Sequence, residues 1–521
     1  MSGRPPASND LHHPLAPSVT TDLTAALEHA LGESGALGAT VRQLANRVQR
    51  DTAAVATELG RLSRSGTVTR MGRGLWVWHD FTELTGGADF ADPASFVERF
   101  EREGGVALGQ YSGPITFRSN ETRAIHRWWP YVQGYSAEFV AGVLDACQLR
   151  PGATVLDPFA GSGTSLVEAR RAGFRAFGTE ILAPAALAAR VKTHFELDGR
   201  ALEQAAQRVV SRARRRRQGS LPFLRETERQ FSSRSLRDLT RLRDALPPEG
   251  RPEADALRLA FGRVLIPSSR LHRSPCLGYR RDPVEDGTDP PFALFERAVA
   301  EMRADLQGIA PERPRWGPAA TIEQSDARTA RWPAGSVDLA ITSPPYVNGM
   351  DYVMNYKVDL AWLGYARSYA DLAALRAAEV ACDNLPRSET NAYLGVGQSL
   401  DPWLNELLPR IRDNVARKGS YRRDDMHAIV HRYFADLRPV LIGVFRALRP
   451  GGRFVIVVGD SLLAGAYIPG DLILARMGVQ AGFRLRSVEV ARTRRSGQRR
   501  SFRLRESVVT LERPRRAGRA S

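Results

Sequence analysis

The stretch PGATVLDPFAGSGTSLVEARRAGFRAFGTEI, residues 151–181, limits the fold more than any other part of the chain. It begins with a short β-type run, Ala153 to Leu156, which Asp157-Pro158-Phe159 ends. Gly161-Ser162-Gly163 makes a turn, a helix follows, and a second short strand, Arg175 to Gly178, ends at Glu180. Strand, glycine turn, helix, strand and acid form half of a doubly wound α/β sheet. Glycines let a ligand approach the backbone, and the helix amino terminus offers free N–H groups. An acid closing the second strand suits the paired ribose hydroxyls of a nucleoside. No Gly-Lys-Ser/Thr follows, which excludes a triphosphate loop, while a generic dinucleotide site stays open.

A further apolar run, GSVDLAITSPPY, ends in Ser343-Pro344-Pro345-Tyr346. It reads as another strand of the sheet, with a rigid polar turn at the carboxyl end, where such sheets bind ligands. Two prolines fix φ and remove two backbone donors, leaving their carbonyls free to accept. That suits a target which is itself a donor, such as the exocyclic amino group of a base. Just upstream, TIEQSDARTA supplies a strand-like segment ending in Asp326. That acid either accepts from an adenine amino group or caps the segment after it.

The phrases Asp157-Pro-Phe-Ala-Gly-Ser-Gly-Thr164 and Ser343-Pro-Pro-Tyr346 together resemble the S-adenosylmethionine-dependent DNA amino-methyltransferases of the N4-cytosine and N6-adenine type. The resemblance implies an α/β, Rossmann-like methyltransferase sheet over about 121–512, S-adenosyl-L-methionine as cofactor and double-stranded DNA as partner. It implies cofactor contacts from Asp157, Phe159, Gly161, Gly163, Thr164, Glu180 and Asp326. Pro130 and Tyr131 join them, because IHRWWPYVQGYSAEFV resembles the family's His-x-x-x-Pro-Tyr segment; a core aromatic cluster is the other reading.

Ser343, Pro344, Pro345 and Tyr346 are the expected catalytic residues. The Ser343 hydroxyl and Pro344 carbonyl would accept from the amino group, and Tyr346 would stack on a base turned out of the duplex. The serine form is the one most often met in N4-cytosine enzymes, so cytosine N4 is expected ahead of adenine N6. An RNA amino-methyltransferase and a catalytically dead DNA-binding regulator are the alternatives. Many serine-type enzymes place the Pro-Pro turn first, whereas here the glycine turn precedes it by a wide gap. A polar helical insertion at about 195–315, with RARRRRQG at its start, fills that gap and is the candidate for target recognition. Tyr352 and Tyr356, one helical turn apart, are either pocket walls or core.

Outside this domain, residues 1–20 and 513–521 read as disordered tails and 81–120, with two Gly-Gly pairs, as a linker. Between them, 21–80 reads as a winged helix-turn-helix. Thr40 and Gln43 form a capping box before VRQLANRVQR, and AAVATELGRLSRSG continues the helical pattern with Val55, Leu59 and Leu62. TVTRMGRGLWVW then alternates as a hairpin, and Arg61, Arg64, Arg70 and Arg73 are candidate phosphate contacts. LRPGGRFVIVVGDS and SVVTLER read as later strands of the large sheet.

Net charge is +17, and all but three of the 74 basic residues are arginine. Coding bias explains arginine over lysine but not the surplus over acids, which favours a polyanionic partner. Three scattered cysteines give no disulfide framework, and no ligand spacing predicts a metal. Pro275-Cys276 lacks a Glu-Asn-Val partner and reads as a chance dipeptide rather than a C5-cytosine nucleophile. With no apolar span and no signal-peptide core, a cytoplasmic protein without membrane contact is expected. A restriction or defence-system partner is compatible with this reading.

Overall fold

A computed structural model describes residues 23–34, 39–64, 68–70, 75–78, 93–131, 134–274, 276–281, 290–347, 349–381, 400–418, 423–495 and 503–515. The chain divides into an amino-terminal unit ending near Gly86 and a larger unit that holds most of the rest. The expected tails, 1–20 and all but the start of 513–521, lie outside the described residues. At that start, the Arg513 N–H still donates to the Gly452 carbonyl at 2.9 Å.

The amino-terminal unit has three helices, Leu23–Ser34, Val41–Val48 and Thr52–Arg64, and a three-stranded antiparallel sheet. Ala39–Thr40 and Val68–Arg70 both pair with the central strand Leu75–Trp78. The expected capping box is present, with Thr40 and Gln43 exchanging backbone and side-chain hydrogen bonds. Val55, Leu59 and Leu62 recur on one helical face and are buried with Leu27, Leu31 and Leu44. Arg61 is engaged by Glu58 and Thr24, and Arg64 is exposed. The Arg70 side chain and Arg73 lie outside what is described.

The described part of the expected linker, 93–120, is folded. Within 81–120, Pro93–Gly104 is a helix and Leu108–Gln110 (β1) is an edge strand. Phe96 and Phe100, four residues apart, bury one helical face against Trp403, with ring centroids 5.3 and 6.4 Å away. That contact, invisible locally, is why the segment folds.

The remaining strands of the sheet are β2 (Thr154–Asp157), β3 (Arg175–Thr179), β4 (Thr321–Glu323), β5 (Val337–Thr342), β6 (Leu448–Gly459), β7 (Arg484–Arg495) and β8 (Arg503–Glu512). Their order across the sheet is β1-β7-β8-β6-β5-β2-β3-β4. All pairs are parallel except those of β8, which runs antiparallel to β6 and β7. From β2 the chain moves outwards to β3 and β4, then returns to lay β5 on the other side of β2. This is a Rossmann-like arrangement, and the order reverses between β2 and β5, where ligands bind at the strand carboxyl ends. Asp157 and Ser343 stand at those two ends.

Residues 195–315 are helical as expected, with main helices Gly199–Arg215, Ser233–Ala245, Pro252–Leu265 and Pro291–Ile309. They also hold a small antiparallel hairpin, Leu271–Arg273 with Leu277–Tyr279. These helices share one core with Trp128 and Trp129 before the glycine turn, and with Val353, Tyr356 and Trp362 after the Pro-Pro turn. The insertion is therefore packed into the domain, and not appended to it. Among the described residues no helix is long and apolar enough to cross a membrane.

Candidate active site

Asp157 closes β2 and is fully buried. Its Oδ1 accepts from the Thr342 hydroxyl at 2.7 Å and from the Phe159 N–H at 3.0 Å. Its Oδ2 accepts from the Tyr135 hydroxyl at 2.9 Å and from Ser165. A carboxylate offers about four acceptor sites, so Asp157 is saturated. Burial raises its pKa, and these donors pull the other way. Because Thr342 immediately precedes the Pro-Pro turn, Asp157 locks the glycine turn of β2 to the active turn of β5.

Two clefts open from this junction. The first is lined by Asp157, Phe159, Gly161, Thr164, Glu180 and Asp326, together with Tyr131 and Ser343. Gly161 sits at φ 52°, and a Cβ there would come within 3.0 Å of the Tyr131 ring. Glu180 takes the Gly161 N–H on Oε2 and the Leu182 N–H on Oε1, both at 2.8 Å. Asp326 also reaches this cleft, while its carboxylate accepts from the Arg328 N–H and Nε at 2.9 Å each. The local contacts are those of the capping reading, and its place in the cleft leaves the adenine contact as a proposal.

Two of the expected cofactor residues stand elsewhere. Gly163, at φ 86°, caps the helix Thr164–Arg171 and packs on Ala189, 2.9 Å from where a Cβ would be. Pro130 is exposed and lines the second cleft, because the chain turns between the buried Trp129 and Tyr131.

The second cleft is lined by Pro130, Pro344, Tyr346, Arg492, Arg494 and Glu506, and by Arg273 and Ser274 from the insertion hairpin. Tyr131, Gly134, Tyr135, Ser343 and Tyr352 line both clefts. The Tyr131 ring lies parallel to those of Tyr352 (6.5 Å, 18°) and Tyr356 (6.0 Å, 19°), so Tyr352 is pocket wall and the buried Tyr356 is core behind it. The Tyr346 hydroxyl donates to Glu506 at 2.6 Å, and its ring occupies the space a Cβ on Gly459 would need. The Pro345 carbonyl accepts from Tyr433 at 2.8 Å.

Several functional candidates escaped the sequence reading. Ser162 and Ser325 line the first cleft with buried hydroxyls that have no hydrogen-bond partner among the described residues. Glu379 lines it too, and burial beside Asp351 raises its pKa well above the usual carboxylate range. Ser162 lies inside the glycine turn without having been singled out, and no motif marks the role of Ser325 or Glu379. Glu506 had a signal, the charged pair Arg505-Glu506 just before the Ser507-Val508-Val509 run of a strand.

No family model matches the chain. It is 23% identical over 452 residues to the type II methyltransferase M.BsoBI of Geobacillus stearothermophilus, covering 77% of this chain and 88% of that protein. It is likewise 23% identical over 424 residues to the type II methyltransferase M.AvaI of Nostoc sp. (strain PCC 7120), covering 73% and 83%. A solved S-adenosylmethionine-dependent methyltransferase from Methanosarcina mazei covers 72% of this chain and 97% of its own, with 10% identity and a TM-score of 0.25. The sheet order is that of a Rossmann-like α/β fold. In sequence the chain is similar to type II methyltransferases over about three quarters of its length, and the resemblance read from its motifs to S-adenosylmethionine-dependent DNA methyltransferases holds at that level.

S-adenosylmethionine is the cofactor of that family, and the first cleft fits it. The two orphaned serine hydroxyls call for a polar ligand. The buried carboxyl of Glu379 suits one carrying positive charge, as its sulfonium and ammonium groups do.

Burial pushes the Glu180 pKa from 4.5 up to about 7. For a carboxyl raised in the folded state, the stability contribution is full below pH 4.5 and is lost as pH rises through about 7. The loss amounts to roughly 3 kcal/mol. If Glu180 accepts ribose hydroxyls it must ionise, so cofactor affinity moves the opposite way. We expect affinity to rise with pH up to about 7 and then level off, while the unliganded protein loses stability. Calorimetry and thermal unfolding across that range check both trends, and Glu180→Gln should flatten each.

Proposed function

We propose that the protein methylates the exocyclic amino group of a flipped base in double-stranded DNA, cytosine N4 ahead of adenine N6. One observation carries this reading: Ser343 lines both clefts, so a methyl donor held in the first and a base held in the second meet at the Pro-Pro turn. When bound, S-adenosylmethionine supplies a methyl group on a positively charged sulfur, open to displacement by a nitrogen lone pair. Tyr131, Gly161, Ser162, Glu180, Ser325 and Glu379 hold it.

The chain's own part is orientation and polarisation. The Ser343 hydroxyl and the Pro344 carbonyl accept hydrogen bonds from the two amino N–H groups and draw the nitrogen towards tetrahedral geometry, which localises its lone pair; one of those protons leaves once the nitrogen is methylated. The Pro345 carbonyl is already engaged by Tyr433, and Pro344 has no donor among the described residues, which supports this choice. Tyr346, tethered by Glu506, is a fixed platform for the base. Arg273 and Ser274 in the second cleft support a recognition role for the insertion. The helix and strand order of the amino-terminal unit supports a winged helix-turn-helix, and we assign it a DNA contact through Arg64 and its neighbours.

The test is expression in a methylation-free bacterium followed by long-read mapping of modified bases. N4-methylcytosine within one short sequence is the expected result. N6-methyladenine would move the choice of base, and an unmodified genome would overturn the proposal.

A further inference from the structure

The cytosine reading leaves open what inside the second cleft distinguishes cytosine from adenine. Both bases present an amino group to Ser343 and Pro344, so the discriminating contact lies at another edge. Cytosine carries two adjacent acceptors beside the amino-bearing carbon, N3 and O2. Adenine offers N1 followed by a C–H. A fork of donors therefore separates the two, and arginine is the side chain with that geometry.

Resting on the proposed DNA amino-methyl transfer, we propose that Arg494 reads the N3 and O2 edge of the target cytosine. Arg494 lies on β7 and lines the second cleft with Ser343, Pro344 and Tyr346. Its guanidinium carbon is 5.9 Å from the Tyr346 ring centroid, whereas Arg273 sits 4.2 Å from the centroid of Tyr356. Arg273 stacks closely on its ring, whereas Arg494 lies over Tyr346 at the outer limit of such a contact, within reach of a base on that platform.

One Arg494 N–H is fixed, with Nη2 donating to the Asp460 carbonyl at 2.8 Å. Its Nε is buried without an acceptor among the described residues, so the fork is placed but not satisfied. Gly459 makes the arrangement possible. A Cβ there would lie 2.9 Å from the Tyr346 ring and 3.4 Å from Arg494 Nη2. The other arginine beside Tyr346, Arg492, is half exposed and already paired with Glu506, so it belongs to the rim. Glu506 thus holds Tyr346 from below and draws the neighbouring cation away, leaving Arg494 as the inner donor.

Duplexes carrying the mapped site test this, with the target base either cytosine or 2-thiocytosine, whose sulfur accepts weakly in place of O2. The wild type should lose roughly tenfold or more in kcat/KM on the thio base, as a broken bidentate pair does. Arg494→Gln should lose about as much on cytosine, show no further loss on the thio base, and keep its Tm and its cofactor affinity by calorimetry. Arg494→Lys should fail likewise, because a point charge cannot replace the fork. Full activity in Arg494→Lys would indicate a phosphate contact and overturn the inference, as would a Gln variant that still discriminates. Wild-type methylation of adenine would overturn the role of Arg494 and leave amino-methyl transfer standing. Absence of any DNA methylation would bring down the underlying reading itself.

Discussion

Replacing Ser343, Pro344, Pro345 and Tyr346 together with alanine is expected to abolish methyl transfer and leave cofactor affinity within about twofold. The expected loss is at least ~10³-fold, since loss of one preorganised polar contact to the reacting group typically costs about 10²–10³ and the platform is lost with it. Ser343 and Pro345 border the first cleft, but Gly161, Glu180 and Glu379, which close it, belong to other elements, so cofactor affinity is expected to survive. Asp157 still holds the end of β5 through Thr342, which is untouched. Tritium transfer from labelled cofactor measures the first effect and calorimetry the second. Transfer persisting at a tenth of the wild-type rate would remove the turn from the chemistry.

The second large effect separates two glycines that look equivalent in the sequence. At Gly163 a side chain meets the Ala189 backbone at 2.9 Å and the residue holds φ 86°. Neither can yield without moving a helix. Gly163→Val should therefore destabilise the protein by about 2–5 kcal/mol, combining left-handed strain with overpacking. At Gly161 the neighbour at 3.0 Å is the Tyr131 ring, a side chain able to shift. Gly161→Ala should cost only about 1–2 kcal/mol of strain. The displaced ring closes on the wall common to both clefts, so cofactor affinity should fall tenfold or more. Thermal unfolding and calorimetry on the two variants give opposite rankings if these assignments are correct. Equal rankings would remove the distinction between a helix-packing glycine and a cleft glycine.

What was legible in the sequence was what is encoded locally. Asp157, Gly161, Glu180 and Ser343 announce themselves because strand ends, turns and capping acids depend on residues a few positions away. The capping box at Thr40 and Gln43 was readable for the same reason. The linker expected over 81–120 does not hold for its described part, because the Gly-Gly pairs are visible locally, whereas the partner of Phe96 and Phe100 lies some 300 residues downstream at Trp403. Which side of the cleft Pro130 faces is likewise decided by tertiary packing. Ser325, Glu379 and Arg494 become site residues only when the sheet brings β4, β7 and the segment after Tyr352 to one junction.

The common core of the insertion carries an evolutionary consequence. Helices between β3 and β4 interlock with Trp128 and Trp129 on one side and with Trp362 on the other. In the recognition role proposed for it, a region built this way cannot be traded between enzymes as a cassette, because transplanting it would strand apolar faces on donor and host alike. New sequence preferences must then arise at its margins, and the hairpin around Ser274 is the part that can drift without unravelling the rest.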